Sequence, residues 1–308
     1  MPRLTSDVGA WQDALRRRED LGFASVAISE HLTGGWSMEP LTTIAAAASA
    51  TSHIRFLTLV LANDFHHPVL LHKAIATLDV LSGGRVELGL GTGWLAADYE
   101  ASGIEAAPIG RRIDRLDEAV RVIKGLFGPH PVTFHGDHYR VTGLVGQPAP
   151  IQQPRPPILI GGGGRRLLSL AAREADIVGV HARLAGGTLD PGAAADLDAD
   201  RIGEKVGWIR AAAREAGRDP EAIELQFTVY LCRITSTPRG GLAAESSFAG
   251  LLGANPGLVR RSPAVLIGTV EAGIDRLIEH RDRYGLSYWH LGSDIEAVAP
   301  IVARLSGA

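Results

Sequence analysis

The chain is short of the features that mark several functional classes. Among 308 residues there is a single cysteine, Cys232. A lone thiol closes no internal disulfide, so the sequence points to a reducing, cytoplasmic setting. One cysteine with 11 scattered histidines spells no structural zinc motif, and no metal is expected. No stretch approaches the about 18 uninterrupted apolar residues of a membrane span. The first residues, MPRLTSDVGA, lack an apolar core and carry Asp7, unlike a secretory signal. Charge of one sign is lacking too. With 31 basic and 34 acidic residues the net charge is −3, which gives no general reason to expect nucleic-acid binding. No G-x-S-x-G elbow occurs, so nucleophilic hydrolysis has no evident nucleophile.

What is present is ordinary for a globular protein, with 45% hydrophobic and 21% charged residues. Strand-like and helix-like segments alternate throughout. Helices are expected over 8–20, 41–50, 68–81, 111–127, 165–174, 202–216, 274–284 and 294–305. Strands are expected over 23–28, 54–61, 86–90, 158–160, 176–180, 223–231 and 287–291, with a weaker eighth at 264–267. Pro68 suits the first turn of its helix, and Ile113, Leu116, Val120, Ile123 and Phe127 share one stripe. Residues 128–157, 182–200 and 235–262 read as long irregular connections. Repeated strand–helix order implies a parallel sheet covered by helices. Seven or eight units over this length favour a (β/α)8 TIM barrel, one domain over 1–308.

Chemistry in such a barrel belongs at the C-terminal ends of the strands. Four strand exits carry candidates. The first offers His31, able to donate a hydrogen bond or exchange a proton near neutral pH, with Trp36 as a stacking surface. The second runs through Leu59, Val60, Asn63 and Asp64 to His66 and His67, which read as solvent-exposed loop histidines. The third is Gly89-Leu90-Gly91-Thr92-Gly93-Trp94, whose glycines would let backbone approach a ligand closely. The fourth is Gly161, Gly162, Gly163 and Gly164, followed by Arg165 and Arg166. Freed backbone N–H groups at a helix start favour a phosphate there. Arg111, Arg112 and Arg115 read as a solvated helix face, and Glu30, Asp64 and Asp98 as carboxylates near the barrel mouth.

Together these motifs resemble the bacterial luciferase-like monooxygenase superfamily, above all its branch of oxidoreductases that use the deazaflavin coenzyme F420. The most specific stretch is LDVLSGGRVELGLGTGW at 78–94. LGFASVAISEH at 21–31, RRIDRLDE at 111–118, ILIGGGG at 158–164 and LIGTVE at 266–271 also match. The resemblance implies a luciferase-like barrel with insertion segments. It implies a non-prolyl cis peptide at Leu59–Val60 that props the cofactor ring, and His31 beside that ring. Cofactor contacts would come from Leu59, Val60, Asn63, Thr92, Gly93 and Trp94, and the phosphate would rest on Gly161, Gly162, Gly163, Gly164 and Arg165. It further implies a homodimer acting on a small-molecule substrate. FMN with oxygen is the alternative cofactor chemistry, and a non-catalytic flavin or deazaflavin binder is a third reading. Two departures stand out. The family's first strand is cut to a stub before residue 6, which on this reading leaves 264–267 outside the barrel. Trp94 stands where some deazaflavin enzymes have a carboxylate proton donor, which leaves the acid unassigned.

Overall fold

The structure of the chain, a computed structural model, describes residues 1–35, 38–184, 191–252 and 256–306. It divides into two compact units. Trp36 lies outside the described residues.

The first unit comprises Met1–Glu19, Ser25–Gly161 and Glu174–Asp176. It contains α1 (Val8–Asp20), β1 (Ser25–Ile28), α2 (Pro40–Ala50), β2 (Arg55–Thr58) and the two-residue β3 (Leu61–Ala62). Then follow α3 (Pro68–Ser82), β4 (Val86–Gly91), α4 (Ala96–Ser102), α5 (Ile109–Leu126), β5 (Val132–His135), β6 (Arg140–Leu144) and β7 (Ile158–Gly162). β1 pairs with β2, β2 with β4 and β4 with β7, all in parallel, and β3 adds to β4 beyond the end of β2. Every residue of β4 is buried, as expected of a parallel strand covered on both faces. Sequence signals set the helix ends. Pro40 and Pro68 open their helices, the Glu39 carboxylate accepts from the Leu41 and Thr42 amides, and left-handed Gly83 closes α3. No strand precedes α1 among the described residues. The stub lies beside β1, its Met1 amine donating to the Ala27 carbonyl at 2.6 Å.

The stretch 128–157 is more ordered than its composition suggests. β5 and β6 form an antiparallel hairpin. The Glu118 carboxylate on α5 accepts from the amides of Asp137, His138 and Tyr139 at 2.8–3.0 Å. Buried Asp79 accepts from the amides of Ile151 and Gln152 and from the Gln152 side chain. These long-range carboxylate anchors leave no local sequence pattern.

The second unit comprises Asp20–Ala24, Gly162–Arg173 and Ile177–Ala308. It contains α6 (Arg165–Glu174), β8 (Ile177–Val180), α7 (Pro191–Ala195), α8 (Ala199–Glu215), β9 (Glu224–Thr228) and β10 (Leu231–Ile234). Then come α9 (Pro238–Leu252), α10 (Pro256–Arg261), β11 (Val265–Gly268), α11 (Val270–Tyr284), β12 (Leu286–His290) and α12 (Ile295–Leu305). β9 lies between β8 and β12 in a parallel sheet. The strand expected over 223–231 is two strands, because the hydrogen-bond partner changes. Val229 still donates to His290, but Tyr230 and Leu231 both donate to the Ala264 carbonyl. β10 then pairs with β11 in a separate two-stranded sheet. The stretch 264–267 therefore lies outside the β8–β9–β12 sheet, as the family resemblance implied. The segment expected to be irregular at 235–262 holds α9 and α10. Gly240 and Gly241 hide α9 from the sequence reading, yet a side chain at 241 would sit 3.1 Å from the Gly268 backbone. No helix among the described residues is long and apolar enough to cross a membrane.

Two core histidines carry a stability cost in acid. His72 packs against the Phe127 ring at 4.5 Å, and His280 lies between Tyr284 and Trp289. Both rings are at most 5% exposed. Neither His72 Nε2 nor either His280 nitrogen has a partner among the described residues. Burial holds each down to about 4, against about 6.5 for an ordinary histidine. Their stabilising contribution is therefore complete above pH 6.5 and is lost as pH falls from 6.5 towards 4. The full difference is worth about 3 kcal/mol per ring. Replacing His280→Phe should leave urea unfolding near pH 8 little changed and raise relative stability at pH 5 by about 2 kcal/mol. An equal response of both proteins to pH would refute the assignment.

Candidate active site

The exits of β1, β2 and β4 in the first unit converge through backbone contacts. Thr58 ends β2, and its hydroxyl both accepts from the Gly89 amide at 2.7 Å and donates to the Gly89 carbonyl at 2.9 Å. The next peptide, Leu59–Val60, is cis. The single strand expected over 54–61 is therefore interrupted and resumes as β3. Gly89 and Gly91 make room for this path. A Cβ on Gly89 would lie 1.8 Å from the Thr58 carbonyl oxygen, and one on Gly91 would lie 2.7 Å from Val60 Cγ2. At Gly93, in the left-handed region at φ 73°, a Cβ would meet the Tyr99 hydroxyl at 2.0 Å. The glycine run thus serves close approach by the protein's own chain. The result is a half-buried apolar pair, Leu59 and Val60, at the strand mouth. Ser29 on the β1 exit steadies it by donating to the Leu59 carbonyl at 2.9 Å.

His31 lies two residues beyond Ser29 and is clamped by Asp98 of α4. The imidazole Nδ1 is 2.8 Å from Asp98 Oδ2. Asp98 Oδ1 accepts from the amides of Leu32 and Thr33 and from the Thr33 hydroxyl at 2.6–3.1 Å. The His31 side chain is 10% exposed and that of Asp98 only 3%. Burial by itself would push the Asp98 carboxyl up, but bonds from Thr33, His31 and Leu32 take it below the usual carboxylate range. The clamp assigns the Nδ1 edge of His31 to Asp98 and fixes the ring plane. Trp94 meets that ring edge-on at 5.4 Å and 84°.

Two further carboxylates set the surrounding loops. Glu30 accepts from the Ala62 amide and lies 2.8 Å from His66 Nε2. His66 is therefore a held side chain, not the solvent-exposed loop residue expected. The Asp64 side chain is fully buried and receives Arg115 at 2.9 Å and the Tyr99 hydroxyl at 3.1 Å. Burial, then the Asp64 charge, push the Tyr99 hydroxyl up to about 12. Arg112 donates to the Thr92 and Gly93 carbonyls, the latter at 2.7 Å. The arginines at 112 and 115 thus brace the β4 exit and the loop after β3, contrary to the solvated helix face expected from their spacing. Asn63 is buried and donates to the Tyr139 hydroxyl at 3.3 Å. Thr92 is 7% exposed, and Gly93 and Trp94 are half-buried. Sequence reasoning missed α4 itself and hence the partner of His31. Asp98 was visible only as a carboxylate near the mouth.

In the second unit, the glycine segment is filled unevenly. A Cβ on Gly162 would lie 2.3 Å from Leu167, and one on Gly163 would lie 2.3 Å from the Ala182 backbone. Gly164 is open, with Arg183 Cδ at 4.0 Å, and directly precedes the ten-residue α6 with exposed Arg165 at its start. Gly161 is the buried penultimate residue of β7. The exits of β8, β9 and β12 carry His181, Tyr230 and His290, which sequence reasoning did not single out.

The strand exits place these side chains where a barrel carries its chemistry, and comparison gives the family. Residues 4–238 match the luciferase-like monooxygenase family, and the chain belongs to it. The FMNH2-dependent dimethylsulfone monooxygenase of Pseudomonas putida is 27% identical over 283 residues, covering 84% of this chain and 76% of that protein. The F420-dependent glucose-6-phosphate dehydrogenase of Microbacterium testaceum is 35% identical over 164 residues, covering 51% of this chain and 48% of that protein. The crystal structure of the monooxygenase RslO1 from Streptomyces bottropensis superposes with a TM-score of 0.74 at 25% identity, covering 97% and 92% of the two chains. The fold is the luciferase-like (β/α) barrel, and the relatives include both F420-dependent and FMN-dependent enzymes.

The contact at Gly89 gives a direct test. Gly89→Ala should lower the unfolding free energy by about 3 kcal/mol or more in urea titration, because backbone rather than a flexible side chain must yield. Gly207→Ala, where nothing lies within 4 Å on α8, should be neutral or stabilising by about 0.5–1 kcal/mol. Equal stability of the two variants would overturn the packing account.

Proposed function

We propose that this chain is an oxidoreductase that moves hydride between coenzyme F420 and a small organic substrate. The observation that carries the proposal is the β1 exit, where Ser29 steadies the apolar Leu59–Val60 pair and, two residues further on, Asp98 fixes the His31 imidazole. An apolar surface next to an oriented imidazole fits a planar ring with polar edges. The half-buried Trp94 and Gly93 and the polar Thr92 and Asn63 suit the same ligand. Open Gly164, with Gly161, Gly162, Gly163 and Arg165 around the start of α6, fits a phosphate. When bound, the deazaflavin would supply the hydride-transfer chemistry at its C5.

The residues do the rest. Leu59 and Val60 would support the ring and keep water from it. Asp98 holds His31 in one orientation, from which the imidazole would balance charge beside the bound deazaflavin. Trp94 brings no acid, and the proposal gives proton exchange to the His31 imidazole. The F420-dependent relative supports the deazaflavin reading by its higher identity. The FMNH2-dependent relative supports the alternative, a flavin monooxygenase, by matching more of the chain. The proposal carries with it one functional domain over 1–308, a homodimer and a cytoplasmic setting, which rest on the resemblance and the single cysteine.

Fluorescence titration of the cofactor-free protein with F420 and, separately, FMN tests the cofactor. Tighter F420 binding is expected. Tighter FMN binding, with oxygen uptake on reduced FMN, would replace the proposal by the monooxygenase, and no binding of either would remove it. On the F420 enzyme, His31→Ala should reduce kcat by about 100-fold while changing the F420 Kd by less than about threefold. Asp98→Asn should reduce kcat in the same way but less, by about tenfold. Unchanged turnover in both variants would take His31 out of the mechanism.

A further inference from the structure

The second unit holds a row of polar side chains at its strand ends that the proposed cofactor contacts do not use. In the register of the parallel sheet, Phe227 pairs with Val180 and Trp289, and Thr228 pairs with His290. His181 follows Val180 and so falls level with Thr228. Side chains alternate along a strand. The Phe227 and Trp289 rings meet at 5.9 Å, and Trp289 packs against His280 of α11. That is the helix-covered face. Gln226 and Thr228 lie on the other, as the bond from Gln226 Nε2 to Thr228 Oγ1 at 3.3 Å confirms. His290 shares that face by register with Thr228.

One atom in this row is unsatisfied. Gln226 is 1% exposed, and its Oε1 is buried with no partner among the described residues. A buried acceptor without a donor costs about 1–3 kcal/mol, and a bound group that donates to it removes that cost. His181 is steadied at the same level, its Nδ1 lying 3.3 Å from the Tyr230 hydroxyl. The nearby cation is already engaged. Lys205 donates to the His181 carbonyl at 2.7 Å and to the backbone carbonyl and side chain of Asp196, and its own side chain is 0% exposed.

We propose that His181, Thr228 and His290, with Gln226 beneath them, form the recognition site for an uncharged carbonyl or hydroxyl group of the organic substrate. This rests on the oxidoreductase reading given under Proposed function, and it narrows the substrate to neutral ketones and alcohols. Burial holds both His181 and His290 down to about 4, so the row presents neutral imidazoles at pH 7. Neutral donors and acceptors suit a neutral group. Lys205, the cation bonded to the His181 carbonyl, is already neutralised by Asp196 and offers a carboxylate or phosphate no free charge.

The test is a titration followed through the 15N ring signals of labelled histidine, with cyclohexanone, cyclohexanol and cyclohexanecarboxylate as probes. His181→Gln and His290→Gln spectra assign the two rings. The expected result is that the ketone and the alcohol move both rings and the carboxylate moves neither. Gln226→Leu and, independently, Thr228→Val should weaken ketone binding by about tenfold. Tighter binding of the carboxylate, no movement of either ring, or no effect of both substitutions would overturn the proposal. F420 titration of the same samples separates the two readings. Intact F420 binding with still rings sinks only the recognition site, whereas moving rings with FMN bound in place of F420 sink the F420 assignment and not the site.

Discussion

The candidate site of the first unit depends on two missing side chains. Gly89 and Gly91 alternate along β4, so both point to the same face. Their bare backbone lets the β2 exit press against β4 closely enough for Thr58 to bond both the amide and the carbonyl of Gly89. Any side chain at 89 would occupy the position of the Thr58 carbonyl. From this contact follow the cis Leu59–Val60 peptide, the displaced β3 strand and the placement of Asn63 and Asp64 beyond it. Both glycines are needed to build the shelf.

Around that shelf, carboxylates organise loops by collecting backbone amides. Asp98 gathers Leu32 and Thr33, Glu30 takes Ala62, Glu118 takes three consecutive amides of the hairpin, and Asp79 ties residues 151 and 152 to α3. A carboxylate bonded to several N–H groups stabilises each loop while satisfying donors that no strand or helix pairs. Rigid elements alone would not orient His31. The loop after β1 is held because α4 brings Asp98 to it, and Tyr99 one residue later braces the β4 exit from the same helix.

This division explains what the sequence showed and what it hid. The strands and helices of the barrel are written in local periodicity, as in the Ile113, Leu116, Val120 and Ile123 stripe of α5, all buried. The cis peptide position and the glycine exits were legible through family motifs. Partners distant in sequence were not. Asp98 meets His31 across 67 residues and Arg115 meets Asp64 across 51, and nothing in the spacing of either residue announces the other. Helices α4 and α9 escaped because Gly, Ser and short length weaken the local signal, and tertiary packing settles them. The break at 229–230 escaped because β9 and β10 keep one alternation while changing partners.

The carboxylates also bear on where a proton resides. Each one at the strand ends of the first unit already serves as an acceptor: Asp98 for four donors, Asp64 for Arg115 and Tyr99, and Glu30 for Ala62 and His66. To act as a general acid, such a group would first have to surrender bonds that fix the loops. Tryptophan at 94 removes the one position where the family resemblance would have supplied a separate acid. The proposed reading gives proton exchange to the His31 imidazole, which Asp98 orients. Asp98 then has two tasks that cannot be separated, ordering the loop after β1 and setting the orientation from which His31 works.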